Sequence, residues 1–144
     1  MGKIFGHRGL PRIYRENSIT GLNQAFEYCD YVETDVRITA DNNLILFHDP
    51  DINGQFINEL STEEILNKLN DVEKDELILS SRDQIDGKVN FEIKTNSLEK
   101  TQIDILFQKM LSILSPQDIV TSFNWKAIQD LSLIHISEPT RPNE

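Results

Sequence analysis

Val89–Phe123 reads VNFEIKTNSLEKTQIDILFQKMLSILSPQDIVTSF, and the two periodicities inside it decide the fold class. Val89–Ile93 is a short strand. Side chains alternate along a strand, so Phe91 and Ile93 share one face while Glu92 and Lys94 share the other. Asn96 and Glu99 are cap residues for a long helix, whose apolar stripe is Ile103, Leu106, Phe107, Met110, Leu111 and Leu114. Ser115-Pro116 ends that helix, and Asp118–Phe123 is a second strand. A strand, a helix and a strand in succession predict a parallel sheet with helices outside it.

Working outward, the alternation continues. Lys3–Gly6 is a strand candidate that runs into His7-Arg8-Gly9. An Asn17-Ser18 cap signal precedes a helical face of Leu22, Ala25, Phe26 and Cys29. Tyr31–Ile38 reads as a strand, and Asp41-Asn42-Asn43 makes a hairpin-like turn into Leu44–Phe47. Ser61-Thr62-Glu63-Glu64 is a capping box, with Leu60 and Ile65 placed as its hydrophobic staple. A further helix begins near Trp125. The fold class is therefore α/β, with five strand candidates and no internal repeat. A closed (β/α)8 barrel needs about 250 residues, so a chain of 144 supplies about five of its eight strand–helix units. Ser132–Pro142 does not continue the pattern and resembles a translated sequencing adapter. The expected division is thus 1–131 as a partial domain and 132–144 as a non-native tail.

Composition limits the class of function. The chain has 38% hydrophobic and 26% charged residues, enough apolar content to bury a core. Its 14 basic against 24 acidic side chains give a net charge of −10, which argues against nucleic acid as a partner. A lone Cys29 rules out an internal disulfide framework. No apolar run approaches the ~20 residues that span a bilayer, and Met1–Gly9 lacks the marks of a signal peptide. These features predict a soluble, cytoplasmic chain.

Polar groups collect at the C-terminal ends of the strand candidates: His7-Arg8, Glu33-Thr34-Asp35, His48-Asp49, Glu92-Ile93-Lys94 and Ser122-Phe123-Asn124. In barrel folds those ends carry the active site, so these groups would converge on one mouth. Glu33, Asp35 and Glu92 would be three carboxylates in one pocket, which cannot all stay ionised unless a cation joins them. An all-oxygen donor set favours a hard ion, Mg²⁺ or Ca²⁺. His7 and His48 can exchange protons near neutral pH, and Arg8 and Lys94 suit a phosphate. Together they point to metal-assisted displacement at phosphorus. Asp49-Pro50-Asp51-Ile52-Asn53-Gly54 opens like a calcium loop. However, Leu60 stands where the twelfth-position Glu belongs, so the stretch reads as a turn-rich loop.

The set Gly6-His7-Arg8-Gly9, Glu16-Asn17-Ser18, Glu33-Thr34-Asp35-Val36, Thr39, His48-Asp49-Pro50, Glu92-Ile93-Lys94 and Ser122-Phe123-Asn124 resembles the glycerophosphodiester phosphodiesterase family. The resemblance implies a (β/α)8 barrel that hydrolyses glycerophosphodiesters, small-molecule substrates of glycerophospholipid metabolism, to an alcohol and glycerol phosphate. It implies Glu33, Asp35 and Glu92 as ligands of Mg²⁺ or Ca²⁺. It likewise implies His7 and His48 as the general acid/base pair, and Arg8 and Lys94 as phosphate contacts. Arg15 departs from the family, which often has Pro there. Two other readings are a fragment that binds a cation without turnover or is inactive, and a sphingomyelinase-like phosphodiesterase with the same paired His and Glu-x-Asp element. The single cysteine speaks against this last, secreted class. Nothing in the sequence specifies an oligomeric state.

Overall fold

The computed structural model describes residues 5–9 and 14–122. Lys3 and Ile4 of the first strand candidate lie outside the described residues. So do Phe123, Asn124, the helix near Trp125 and the 132–144 tail.

The centre of the sheet is β2 (Tyr31–Ile38). Along one edge it pairs in parallel with β7 (Lys88–Ile93), from Tyr31 opposite Lys88 to Val36 opposite Ile93. Its other edge is shared. β1 (Phe5–His7) runs parallel to the first half, and β3 (Leu44–Leu46) runs antiparallel to the second half. β8 (Ile119–Thr121) adds in parallel to β7. Between β3 and β7 come a small hairpin, β4 (Asp51–Ile52) with β5 (Gln55–Phe56), and then α2 (Thr62–Leu69). α3 (Lys74–Leu77) follows, and β6 (Ile78–Leu79) pairs antiparallel with β3.

Four strands are therefore parallel among the described residues. The third strand candidate is instead the return arm of a hairpin, because the five-residue connection Thr39–Asn43 is too short for a parallel crossover. The sheet is open.

Helices cover one face. α1 (Ile19–Ala25) is capped by the Ser18 hydroxyl, which accepts from the Gly21 N–H at 3.1 Å. It stops at Ala25, so the expected face reaching Cys29 is shorter, with Phe26 at the cap and Cys29 in the following turn. α4 (Lys100–Ile113) lays Leu106, Phe107 and Met110 on Phe91, Ile93 and Val120. Its cap position is Glu99 rather than Asn96. The Gln102 side chain accepts from the Glu99 N–H at 3.3 Å, and the helix begins one residue later. Each fully buried Leu or Phe of this kind contributes about 1.5–3 kcal/mol. A second apolar cluster of Ile45, Ile52, Ile57, Leu60, Ile65, Leu77 and Ile78 lies under the β3–β6 side. It contains the anticipated staple pair Leu60 and Ile65, and the Ser61–Glu64 capping box forms with reciprocal bonds of 3.2 and 3.0 Å.

The β2–β3 turn is tied to α2 by Asp41. One carboxylate oxygen accepts from the Thr39 hydroxyl at 2.6 Å, the Thr62 N–H at 3.0 Å and the Thr62 hydroxyl at 3.1 Å. Desolvation alone would raise the Asp41 pKa. The hydrogen bonds from Thr39 and Thr62 outweigh it and hold the carboxyl below its usual range. A depressed native pKa means stability that is present above the unfolded pKa and lost as pH falls through the native one. Asp41→Asn is therefore expected to cost about 1 kcal/mol or less at pH 7, given the exposure of the site. In urea melts at several pH values, the gap to the parent should close on acidification below the ordinary carboxylate range.

Candidate active site

Register assembles the site. In the parallel ladders His7 stands beside Glu33, and Asp35 stands beside Glu92. Glu33 and Asp35 share a face of β2, so four polar side chains from three strands meet on the side of the sheet away from α4. β3 returns from beyond the end of β2, and the Phe47 N–H bonds to the Asp35 carbonyl at 3.0 Å. The antiparallel strand thus brings His48 back to the level of the carboxylates. Lys94 follows β7, held by its N–H on the Val36 carbonyl at 2.9 Å.

Arg8 sits in a left-handed turn with φ 57°, its N–H on the Glu33 carbonyl at 2.7 Å. Gly9 continues that turn at φ 84°, where a Cβ would stand 2.8 Å from the backbone of Gly21. Only glycine permits both that conformation and that approach.

The three carboxylates offer ligand atoms within 4.8 Å of one another, the one such acidic group among the described residues. Asp35 is fully buried. Its Oδ2 accepts from Asn17 Nδ2 at 3.1 Å, while its Oδ1 has no hydrogen-bond partner. An orphaned buried carboxylate oxygen is costly unless something positive binds it. Lys94 Nζ is 3.9 Å from that oxygen and 3.0 Å from Glu92 Oε1. Arg8 Nε lies 3.3 Å from Asp35 Oδ2 but off the line of a hydrogen bond, and its Nη1 meets Glu16 at 3.2 Å. The donor set and the orphaned oxygen fit a hard divalent ion held by Glu33, Asp35 and Glu92.

Burial pushes the Asp35 carboxyl above its ordinary range, opposed by the Asn17 hydrogen bond and reinforced by Glu92. Burial also works against the charge of Glu92, but the hydrogen bond from Lys94 and the neighbouring Asp35 hold its pKa below the usual value. Without a cation, one proton is thus better placed on Asp35 than on Glu92.

Both histidines are oriented. His7 Nδ1 is 2.8 Å from Glu33 Oε1, and His48 Nδ1 is 2.8 Å from Asp49 Oδ1. Each contact leaves Nε2 as the nitrogen free for chemistry. A cavity of about 310 Å³ opens beside His48, lined by Arg15, Glu16, Asn17, Phe47 and Asp49. All seven residues singled out in the sequence lie around this end of the sheet. Ser122 is buried at the end of β8.

Three contributors carry no role in the sequence reading. Asn17 is buried and reads β2 with its whole amide, its Oδ1 accepting from the Thr34 hydroxyl at 2.8 Å and the Asp35 N–H at 3.2 Å. Asp49 orients His48. Arg37 is buried and donates to the His48 carbonyl from Nε at 3.1 Å and Nη2 at 2.6 Å. Arg37 had a signal: it continues the Glu33, Asp35 alternation by one more step. Asn17 stands in a cap and in the Glu16-Asn17-Ser18 motif of the resemblance, neither of which assigns it a role.

Comparison with known proteins gives a consistent answer. The sequence model of the Glycerophosphoryl diester phosphodiesterase family matches residues 7–133. The chain is 39% identical over 54 residues to a glycerophosphodiester phosphodiesterase of Bacillus altitudinis, covering 37% of this chain and 22% of that protein. It is 34% identical over 68 residues to one from Caldanaerobacter subterraneus subsp. tengcongensis, covering 43% and 28%. Among solved structures, a glycerophosphodiester phosphodiesterase from Thermotoga maritima superposes with a TM-score of 0.67 at 22% identity, over 98% of this chain and 61% of that one. An Oleispira antarctica phosphodiesterase, in complex with the product sn-glycerol-3-phosphate, gives 0.73 at 19% identity, over 98% and 65%. The chain spans about 61–65% of these solved proteins and carries part of their α/β-barrel fold. On the match to residues 7–133, the chain belongs to the glycerophosphoryl diester phosphodiesterase family.

Proposed function

We propose that this domain performs metal-dependent hydrolysis of glycerophosphodiesters to an alcohol and glycerol phosphate, within glycerophospholipid metabolism. The carrying observation is the Glu33, Asp35, Glu92 cluster with an unpartnered Oδ1 on Asp35, flanked by two cations and two oriented imidazoles. The complex of the Oleispira phosphodiesterase with sn-glycerol-3-phosphate supports the substrate class. Residues 1–131 are taken as the domain portion.

Glu33, Asp35 and Glu92 would hold Mg²⁺ or Ca²⁺, which when bound supplies charge stabilisation to the phosphoryl oxygens. Arg8 presents its fork and Lys94 its point charge to the same phosphate, trading their present carboxylate contacts for it. One histidine takes the proton of the attacking water as the new P–O bond forms. The other gives a proton to the alcohol oxygen as its bond to phosphorus breaks. Glu33 and Asp49 hold the two rings by Nδ1, so both transfers run through Nε2.

The test is release of glycerol phosphate from glycerophosphocholine by a protein carrying residues 1–131 within a complete barrel. Sphingomyelin serves as the comparison substrate. Glycerol phosphate formed in the presence of Mg²⁺ or Ca²⁺ and lost with a chelator supports the reading. Cleavage of sphingomyelin in preference, or metal-independent turnover, contradicts it. The open sheet among the described residues favours a second reading for the isolated chain: cation binding without turnover. No helix among those residues is long and apolar enough to cross a membrane.

A further inference from the structure

We propose that Arg37 is a positioning residue for His48: its buried guanidinium grips the His48 carbonyl and thereby fixes where the imidazole stands against the carboxylate cluster. Arg37 is 6% exposed. Two of its donors, Nε at 3.1 Å and Nη2 at 2.6 Å, converge on one acceptor, the His48 carbonyl oxygen. Among the described residues no carboxylate lies within ion-pair distance of it, so a buried cation is spent on a neutral peptide oxygen. That arrangement is expensive unless a surrounding field supports it. Asp35, Asp49, Glu92 and Asp51 supply the field, acting on Arg37 at longer range.

The arrangement fastens the His48 segment to β2 at consecutive residues. Asp35 takes the Phe47 N–H through its carbonyl, and Arg37 takes the His48 carbonyl through its side chain. With the backbone held on one side and Nδ1 held by Asp49 at 2.8 Å on the other, the ring keeps one orientation. A backbone ladder alone would have carried the strand. The fork adds a restraint at the residue whose ring has to be aimed.

The inference rests on the role given to His48 in the proposed hydrolysis, but its test needs neither substrate nor metal. The chain has three histidines, so ring ¹⁵N correlation spectra of histidine-labelled protein are tractable. At a pH where the rings are neutral, His48 is expected to carry its proton on Nδ1, facing Asp49. In Arg37→Met the share of that tautomer should fall at least about twofold, because the tautomer follows the hydrogen bond that orients the ring. His7, held by Glu33, should be unchanged and the thermal transition should stay cooperative. Arg37→Lys keeps the charge without the planar fork and should fall between the two. A folded Arg37→Met with an unaltered His48 ring overturns the proposal. If Arg37→Met does not fold, an unaltered His48 ring in Arg37→Lys overturns it instead. Either result leaves the phosphodiesterase reading standing, and failure of hydrolysis leaves this ring signature measurable.

Discussion

Asp118→Ala is expected to cost about 3–5 kcal/mol, as truncating one partner of a buried ion pair does. The carboxylate is 1% exposed and Arg82 meets it with both arms, Nε to Oδ2 at 2.7 Å and Nη2 to Oδ1 at 2.8 Å. Arg82 also donates to the Ile85 carbonyl at 2.9 Å and to that of Gly87. Asp118 in turn accepts the Val89 N–H at 3.2 Å and the Ser115 N–H at 2.9 Å. This one cluster ties the entry of β7, the end of α4 and the entry of β8, at the opposite end of the sheet from the carboxylates. Truncation leaves a cation and two backbone donors without their acceptor. A domain of this size is typically stable by only about 5–15 kcal/mol, so a substantial part would go. Asp118→Asn keeps an acceptor and should lose less. Urea midpoints of the two variants and the parent check the order, and an unchanged midpoint for Asp118→Ala would refute the clamp.

The second large effect falls on turnover. If the proposed hydrolysis holds, His7→Ala and His48→Ala, each in a protein carrying residues 1–131 within a complete barrel, are expected to lower kcat about 10²–10⁴-fold, the usual contribution of a positioned acid or base. That range corresponds to about 2.7–5.5 kcal/mol of transition-state stabilisation. Stability should hardly move in either variant. The His7 side chain is 60% exposed and that of His48 37%, so neither supports the core. The contrast separates the two ends of the sheet, where truncation at Asp118 destabilises the fold and truncation at either histidine silences turnover. Hydrolysis within a few-fold of the parent in both variants would remove the histidines from the mechanism.

Much of this was legible in the residues, for reasons that can be named. Parity along Tyr31–Ile38 and Val89–Ile93 is enough to place Glu33 with Asp35 and Glu92 with Lys94, because a strand has only two faces. The helix Lys100–Ile113 was legible because its stripe is long and regular. Other features depend on tertiary partners that no local pattern encodes. Asn17 matters because β2 passes it, with Thr34 and Asp35 within hydrogen-bond reach. The two-residue strands β4, β5 and β6 carry too little periodicity to be read. The antiparallel run of β3 was implied by the turn at Asp41-Asn42-Asn43 yet hidden by the strand–helix alternation around it. Asp51–Phe56, the calcium-loop look-alike, is a hairpin with Asn53 and Gly54 at positive φ, as turn residues there allow.

The central claim is that Glu33, Asp35 and Glu92 form one cation site. Its most direct test is a thermal melt of the chain in millimolar Mg²⁺ or Ca²⁺, repeated with Glu33→Gln and Glu92→Gln. A cation that binds only the folded state stabilises it by about 2.7 kcal/mol at a hundredfold excess over its Kd. The account requires a cooperative transition that moves upward with either metal in the parent and stays put in both variants. A parent melt indifferent to metal, or an equal upward shift in the two variants, would contradict it.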